Sequence, residues 1–100
     1  MRGHVAREIR GRIMKILDIN YPNLTGDHLI SEILTDVQYC CSPPQVKTYL
    51  AYLAEKGYVE MKDVNSPEVG ITRCLVKLTA KGKDLLEGSI DADPGVDLDG

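Results

Sequence analysis

The stretch that decides the fold is "SPPQVKTYLAYLAEKGYVE", residues 42–60. Ser42 is followed three residues later by Gln45, which is the spacing of a capping box at the start of a helix. Pro43 suits the first helical position, where the N–H that proline lacks would have no partner. Gly57 is typical of the left-handed residue that follows the end of a helix. This helix has one apolar stripe, which we predict to be buried: Val46, Leu50 and Leu53.

Two amphipathic helices precede this one. Apolar residues recur at helical spacing over about 4–19 and again over about 27–36, and each set indicates one buried face. Thr25 or Asp27 can cap the second helix, and the dipeptide Leu24-Thr25 can form a very short strand. The residues predicted to be buried are Val5, Ile9, Ile13, Ile16 and Leu17 in the first helix, and Leu29, Ile30, Ile33 and Leu34 in the second.

Two segments with strand periodicity follow the third helix. The segments 58–63 and 71–78 alternate, and the seven-residue loop "VNSPEVG" between them predicts an antiparallel hairpin. Thr79 can cap a short last helix. The order predicts a mainly α domain with a small antiparallel β wing, that is, a winged helix-turn-helix with a three-helix core, a two-stranded wing and a short C-terminal helix. We assign this domain to residues 1–88 and an acidic, loosely ordered tail to residues 89–100.

Charge is unevenly distributed along the 100 residues, a length that suits a single small domain. The net charge is −3, but five acids and no Lys or Arg follow residue 86, so residues 1–86 carry +2. The asymmetry suits a weakly basic nucleic-acid binder. No apolar run approaches the roughly 20 residues that span a bilayer, and the N-terminus lacks the apolar core of a signal peptide. We therefore expect a cytoplasmic protein without membrane contact.

The segments "SPPQVKTYLAYLAEKGYVE" and "LTAKGKDLL" resemble those of winged-helix repressors of the MarR and PadR groups. The resemblance covers about residues 8–88 and implies DNA binding and transcriptional regulation. The segments "RGRIMKIL", "YLAEKGYVE" and "DLLEGSIDADPGV" are similar to a group of small, ArsR-like winged-helix proteins of Mu-like phages and prophages. That similarity implies a phage or prophage setting in a bacterial host. Full MarR proteins add helices that form a ligand pocket, and this chain is too short for them, so we expect no small-molecule ligand.

The fold and the resemblance together predict sequence-specific binding to double-stranded DNA. The helix over 42–57 would enter the major groove, led by its N-terminal residues, and the wing over 61–74 would lie on the backbone. Gln45 suits bidentate pairing with adenine, unless it serves only the capping box, and Thr48 suits a thymine methyl or a phosphate. The predicted DNA-binding residues are Pro44, Gln45, Lys47, Thr48 and Tyr52 on this helix, Lys62, Arg73 and Lys77 on the wing, and Arg7, Arg10 and Arg12 on the first helix.

Two other functions remain open from the sequence. A protein-interaction module would present an apolar face of tyrosines, among them Tyr49 and Tyr52, in place of a basic face. A thiol-based metal or redox sensor would need Cys74 within reach of Cys40 or Cys41. Adjacent cysteines diverge and no C-x₂-C spacing occurs, so we expect these cysteines to pack in the fold and expect no metal or other cofactor. No arrangement of catalytic residues indicates an enzyme.

Two further expectations concern assembly and the tail. The first helix, with Ile9, Ile13 and Met14, can pair with its copy across a two-fold axis, which predicts a homodimer. The acidic tail can fold over the basic surface and compete with DNA, or it can remain a solubilising end. A basic face made jointly by Gln45, Lys47, Arg73 and Lys77 would favour the DNA-binding function over the protein-interaction function.

Overall fold

The described residues form four helices and three strands, in the order that the sequence pattern predicts. The computed structural model describes residues 2–98, with side chains from residue 5 onward. The fold is a winged helix-turn-helix, which confirms the predicted fold class. Within the described residues, no helix is long and apolar enough to cross a membrane. The elements are α1 (Arg2–Asn20), β1 (Thr25–Gly26), α2 (Asp27–Asp36), α3 (Pro43–Glu55), β2 (Val59–Ser66), β3 (Ile71–Leu78) and α4 (Ala80–Glu87).

The start and end of α3 follow the predicted chemistry. The Ser42 hydroxyl accepts a hydrogen bond from the Gln45 backbone N–H at 3.4 Å, and the Gln45 side chain accepts one from the Ser42 backbone N–H at 2.8 Å. Gly57 has a φ of 85°, which is the left-handed region that favours glycine. The predicted stripe of Val46, Leu50 and Leu53 is fully buried. These features confirm both the position of the helix and the face that it turns to the core.

The sheet has three antiparallel strands in the order β1-β3-β2. Its central strand, β3, pairs with β1 at Thr25 and Gly26, so the short strand predicted near Leu24 exists one residue later. The wing loop is shorter than predicted. The pairs Val64–Arg73, Asn65–Thr72 and Ser66–Ile71 extend the ladder into the segment that we predicted to be a loop. Only residues 67–70 form the turn, because the backbone groups of 64–66 find partners on β3.

The core lies between the three main helices and the inner face of the sheet. Two residues predicted to be buried are exposed: Val5 by 47% and Leu29 by 49%. Val5 lies in the first turns of α1, while the buried part of that helix starts at Ile9; Leu29 points away from the face of α2 that carries Ile30. The buried apolar residues are Ile9, Ile13, Met14, Leu17, Ile30, Leu34, Cys41, Val46, Leu50, Leu53, Tyr58, Val59, Cys74, Val76, Leu78, Leu85 and Val96.

The prediction that Thr25 or Asp27 caps α2 holds only in part, because neither is the N-cap but Asp27 accepts a backbone N–H in the first turn. The N-cap is Gly26, and it makes no side-chain cap bond. Thr25 instead accepts a hydrogen bond from the Asn20 side chain at 3.1 Å, which ties the end of α1 to β1. The Asp27 carboxylate accepts the backbone N–H of the next residue at 2.9 Å, inside the first turn of the helix. The predicted cap of α4 is confirmed, since the Thr79 hydroxyl accepts the Gly82 N–H.

The segment after α4 returns to the body of the domain. Val96 is only 6% exposed and belongs to the core cluster, and the Asp97 backbone N–H donates to the Arg7 carbonyl at 3.0 Å. In the structure, residues 93–98 therefore pack against α1, where we expected a loosely ordered end. The last two residues, including the acidic Asp99, lie outside the described part of the chain.

Candidate nucleic-acid interface

Most of the exposed residues of α3 lie between Pro44 and Ala51. Six of its residues are exposed. Five of them, between Pro44 and Ala51, alternate with the buried stripe at helical spacing and form one continuous surface, while Glu55 lies at the last position of the helix. The side chains of this surface are mostly polar or small, and Lys47 is its one cation. Because the side chains near the helix start lead a recognition helix into the major groove, this surface is the best-placed candidate for DNA contact. Its exposed residues are Pro44, Gln45, Lys47, Thr48 and Ala51.

Gln45 is held by its capping role. Its amide oxygen accepts hydrogen bonds from both the backbone N–H and the hydroxyl of Ser42, at 2.8 and 3.2 Å. Bidentate pairing with adenine uses the amide oxygen and the amide nitrogen together. Such pairing would require the Gln45 side chain to leave the cap, at the cost of the capping bond. The structure thus matches the alternative in which Gln45 serves the capping box.

Lys47 connects the helix to the wing. Its ammonium lies 3.6 Å from the carboxylate of Asp63 on β2, and both side chains are largely exposed. Thr48, one residue on, donates its hydroxyl to the Pro44 carbonyl at 3.2 Å. The threonine oxygen keeps its acceptor capacity and its methyl group remains available for contact with a base. Sequence reasoning missed Asp63, although its strand position shares the inward face of Met61.

A notch between two helix starts adjoins Lys47. Its volume is about 380 Å³, and its lining comes from the first residues of α2 and α3. Helix N-termini carry partial positive charge and favour phosphate groups. The carboxylate of Asp27 lies in the same notch and reduces this potential, although Asp27 is itself buried. The lining residues are Asp27, His28, Pro43, Pro44 and Lys47. Sequence reasoning assigned no role to His28 here; only its place at the start of α2 could have indicated it.

The cations of the wing lie on the far side of the sheet. Lys62 pairs with Leu75, Arg73 with Val64 and Lys77 with Glu60. Directly paired residues share a face, and the buried Cys74, Val76 and Leu78 occupy the opposite face, which packs on the core. Lys77 also lies 3.7 Å from the Glu60 carboxylate. The joint basic face of Gln45, Lys47, Arg73 and Lys77 is therefore not formed.

Two of the three predicted DNA-binding arginines of α1 lie over tyrosine rings. Arg7 is exposed. The guanidinium of Arg10 lies 3.7 Å from the ring centroid of Tyr52, and it donates to the Gly95 carbonyl at 3.1 Å. Arg12 is half-buried, and its guanidinium lies 5.9 Å from the ring of Tyr39. Tyr52 is thus half-buried beneath Arg10 beside the C-terminal segment, one helical turn after Thr48.

Two of the three cysteines pack in the fold as expected, and the third does not. Cys41 and Cys74 are buried and Cys40 is exposed, and all three are free thiols. Burial raises the pKa of the Cys41 thiol, and the neighbouring Cys40 raises it further. Burial also raises the pKa of Cys74, with a further contribution from Asp63. Raised pKa values disfavour the thiolate that binds metals. Among residues 2–98 as described, no group of three or more His, Cys, Asp or Glu side chains is arranged to hold a metal ion.

Comparisons with known proteins support the fold. No protein-family profile matches the chain, and no curated protein matches it. Among solved structures, it is similar to Bacillus subtilis PadR in complex with operator DNA, with a TM-score of 0.64 and 16% sequence identity. The match covers 88% of this chain and 50% of the PadR chain, so this chain spans about half the length of that protein. At this identity the likeness establishes the winged-helix fold.

Proposed function

We propose that this chain is a DNA-binding transcriptional regulator that places α3 in the major groove of double-stranded DNA. The observation that carries the proposal is the exposed N-terminal surface of α3, which lies beside the notch between the starts of α2 and α3 in a winged-helix fold. The similar PadR chain was solved with operator DNA, which supports the same use of the fold here. The turn at residues 67–70 would lie along the backbone.

The residues divide into those that position the protein and those that read bases. Lys47 and the helix starts around the notch would hold a phosphate, while Thr48 and Ala51 would meet base edges and thymine methyl groups. Each phosphate contact adds affinity through the release of counterions. Because Lys47 shares its charge with Asp63, we expect modest affinity for a single copy. Arg7, Lys62 and Arg73 would add contacts only where the DNA reaches their faces.

We also propose that the binding is sequence-specific and that the protein is a phage or prophage regulator. Sequence-specific binding follows from the use of base contacts by α3, and the resemblance to small winged-helix proteins of Mu-like phages favours a phage or prophage regulator. Such a protein would act in the cytoplasm of the bacterial host. The tyrosine-rich face of the protein-interaction alternative is weakened by burial, since Tyr58 is buried and Tyr49 and Tyr52 are half-buried.

We propose a homodimer that uses a different surface from the one predicted. Ile9, Ile13 and Met14 are buried within the chain, so they cannot form a face for a second copy. Ile19, in contrast, is 87% exposed beside a groove of about 240 Å³ between α1 and α2. The groove is mainly apolar, and its lining residues are Ile16, Ile19, Asn20, Thr25, Leu29 and Ile33.

A second copy suits this apolar groove because the projecting side chain and the recess belong to one surface. A two-fold axis would then insert each Ile19 into the partner's groove, which gives an isologous contact. The groove alone is small against the roughly 800 Å² per partner of a standard interface. We therefore expect a weak dimer that forms mainly when two copies bind adjacent half-sites on DNA.

The test is binding of the whole chain to duplex DNA across a salt series. We expect affinity that falls as salt rises, and we expect Lys47→Ala to weaken binding and to make the dependence of log K on log salt about one unit less steep. Lys83→Ala is the matched control, because it removes one positive charge from α4, where Lys83 pairs with Asp18. Absence of binding to random and selected duplexes at low salt would overturn the proposal.

A further inference from the structure

The C-terminal segment ends in a turn that is bound to the domain. We call residues 93–98 the tail turn. We call the surface that holds it the seat, which consists of Arg7, Arg10, Gly11, Tyr52, Lys56 and Tyr58. The seat joins α1, the C-terminal end of α3 and the residue that precedes β2. The contacts of this segment show how specifically it is held.

Asp93 is the polar anchor of the tail turn. Its side chain is only 8% exposed, and it accepts hydrogen bonds from the Tyr58 hydroxyl and from the Gly95 backbone N–H, both at 2.7 Å. The ammonium of Lys56 lies 3.6 Å away. A buried carboxylate is costly unless such partners surround it. The seat therefore supplies both donors and charge for this one side chain.

The seat and the tail turn also fit each other closely in shape. A Cβ at Gly11 would lie 1.8 Å from the carbonyl oxygen of Asp97, and a Cβ at Gly95 would lie 2.0 Å from the hydroxyl of Tyr52. These glycines allow close approach at two points, one on the seat and one on the tail turn. The Asp97 N–H also donates to the Arg7 carbonyl. A solubilising end that lay loosely on the surface would not require glycine on both sides.

Apolar burial and stacking complete the contact. Val96 is 6% exposed and packs into the core cluster. Arg10 stacks on Tyr52 and donates to the Gly95 carbonyl, so it lies between the seat and the tail turn. By contrast, residues 89–92 are all exposed, and an open cleft of about 840 Å³ separates part of this linker from α4. The tail turn is thus bound to the seat, and the exposed linker of residues 89–92 connects it to α4.

We propose that the seat is a peptide-recognition site for an acidic turn of the type Asp-Pro-Gly-Val, and that the tail turn is its ligand, bound within the same chain. The linker keeps the ligand at high effective concentration, so the site is filled in the isolated protein. When the tail turn leaves, the seat exposes Arg10, Tyr52 and Lys56, which form a basic and aromatic surface. This inference is independent of DNA binding, because its contacts do not involve Lys47 or Thr48, Arg7 takes part through its backbone carbonyl, and its test measures peptide binding without DNA.

The experiment uses full-length chains and adds the ligand back. Val96→Asp places a charge in a buried position of the tail turn and leaves the seat unchanged. We expect the amide of Asp97 to exchange at least about tenfold faster in this variant than in the wild type. A synthetic peptide of residues 89–98 should then shift the amide resonances of Gly11 and Tyr58 in a saturable manner. The wild type, whose seat is filled, should show no such shifts with the peptide.

Two further variants separate recognition from unfolding. Gly11→Ala closes the seat, so the combined Gly11→Ala and Val96→Asp chain should remain folded by circular dichroism but fail to bind the peptide. Asp93→Ala provides a second way to open the tail turn if Val96→Asp unfolds the chain. Gly26→Ala is the control for an added methyl group, since its Cβ would meet only a Leu75 side-chain carbon at an ordinary 3.8 Å. Peptide binding that survives Gly11→Ala, or no binding by folded chains opened at Val96 or Asp93, would overturn the proposal.

Discussion

The ammonium of Lys47 lies 3.6 Å from the carboxylate of Asp63, so the one cation on the exposed face of α3 is partly neutralised by the wing. Such an exposed pair contributes little to stability, because solvent screens both charges. Its larger effect is on the potential that approaching DNA meets. The position of Asp63 on the wing thus lowers the positive potential that Lys47 presents on α3.

Removing the acid should strengthen DNA binding. We expect Asp63→Asn to raise the affinity for duplex DNA several-fold at low salt, because Lys47 no longer shares its charge, and the gain should shrink as salt rises. Fluorescence anisotropy across a salt series measures this. Glu60→Gln is the matched control: it also removes one acid from β2, but on the outer face beside Lys77. Equal gains from both variants would show that net charge alone matters and that α3 is not the contact.

The cap of α3 predicts a separable effect of Gln45. Gln45→Ala should lower the free energy of unfolding by about 0.5–1.5 kcal/mol, because the Ser42 backbone N–H loses its side-chain acceptor while the Ser42 hydroxyl keeps its bond. Gln45→Glu keeps a side-chain acceptor for the Ser42 N–H, so stability should be retained. If Gln45 contacts DNA, the glutamate variant should nevertheless bind DNA more weakly than the wild type. Chemical denaturation and DNA titration of the same two variants separate these effects. Wild-type DNA affinity in both would assign Gln45 to the cap alone.

Local signals made most of the fold predictable. The capping box at Ser42 and the spacing of Val46, Leu50 and Leu53 involve neighbours in sequence, so they indicated α3 directly. Val5 and Leu29 were predicted to be buried because helical periodicity indicates which side of a helix is apolar. It does not indicate how much of that side the neighbouring elements cover. The end of β2 was missed because pairing with β3, rather than the composition around Pro67, decides how far the ladder runs.

The candidate site was predictable only in part. The surface of Pro44, Lys47, Thr48 and Ala51 follows from helical spacing. The strand alternation that buries Cys74 and Val76 also turns Arg73 and Lys77 outward, so the face of these two cations follows from the sequence pattern. The position of the tail turn could not be inferred in this way. It depends on contacts between residues more than eighty positions apart, such as Arg10 with Gly95 and Arg7 with Asp97.

The exposed Ile19 predicts a concentration-dependent dimer. Ile19→Asp should lower the association constant at least about tenfold, because each copy would place a charge in the partner's apolar groove. Analytical ultracentrifugation over a range of protein concentrations, with and without a two-site duplex, measures this. Ile90→Asp is the matched control, since Ile90 is also exposed but lies in the segment after α4, away from both the groove and the wing. Equal association by wild type and Ile19→Asp, in both conditions, would place any dimer interface elsewhere.

The contact between Tyr58 and Asp93 predicts a pH dependence on both sides of neutrality. Burial first, and then the hydrogen bond and charge of Asp93, raise the pKa of Tyr58 to about 12. The stability due to this shift is complete below the ordinary value of 10.0 and is lost as the pH rises towards 12. Burial alone would raise the pKa of Asp93, but the bonds from Tyr58 and Gly95 and the charge of Lys56 outweigh it and lower that pKa.

The acid side follows from the lowered pKa of Asp93. Its contribution is complete above the ordinary value of 3.8 and is lost as the pH falls through the lower value in the folded protein. Absorbance titration should find one tyrosine near pH 12, absent in Tyr58→Phe. In Asp93→Asn that tyrosine should titrate earlier but remain above 10, because burial persists when the charge is removed. An unchanged titration in Asp93→Asn would mean that the tail turn is not docked on Tyr58 in solution.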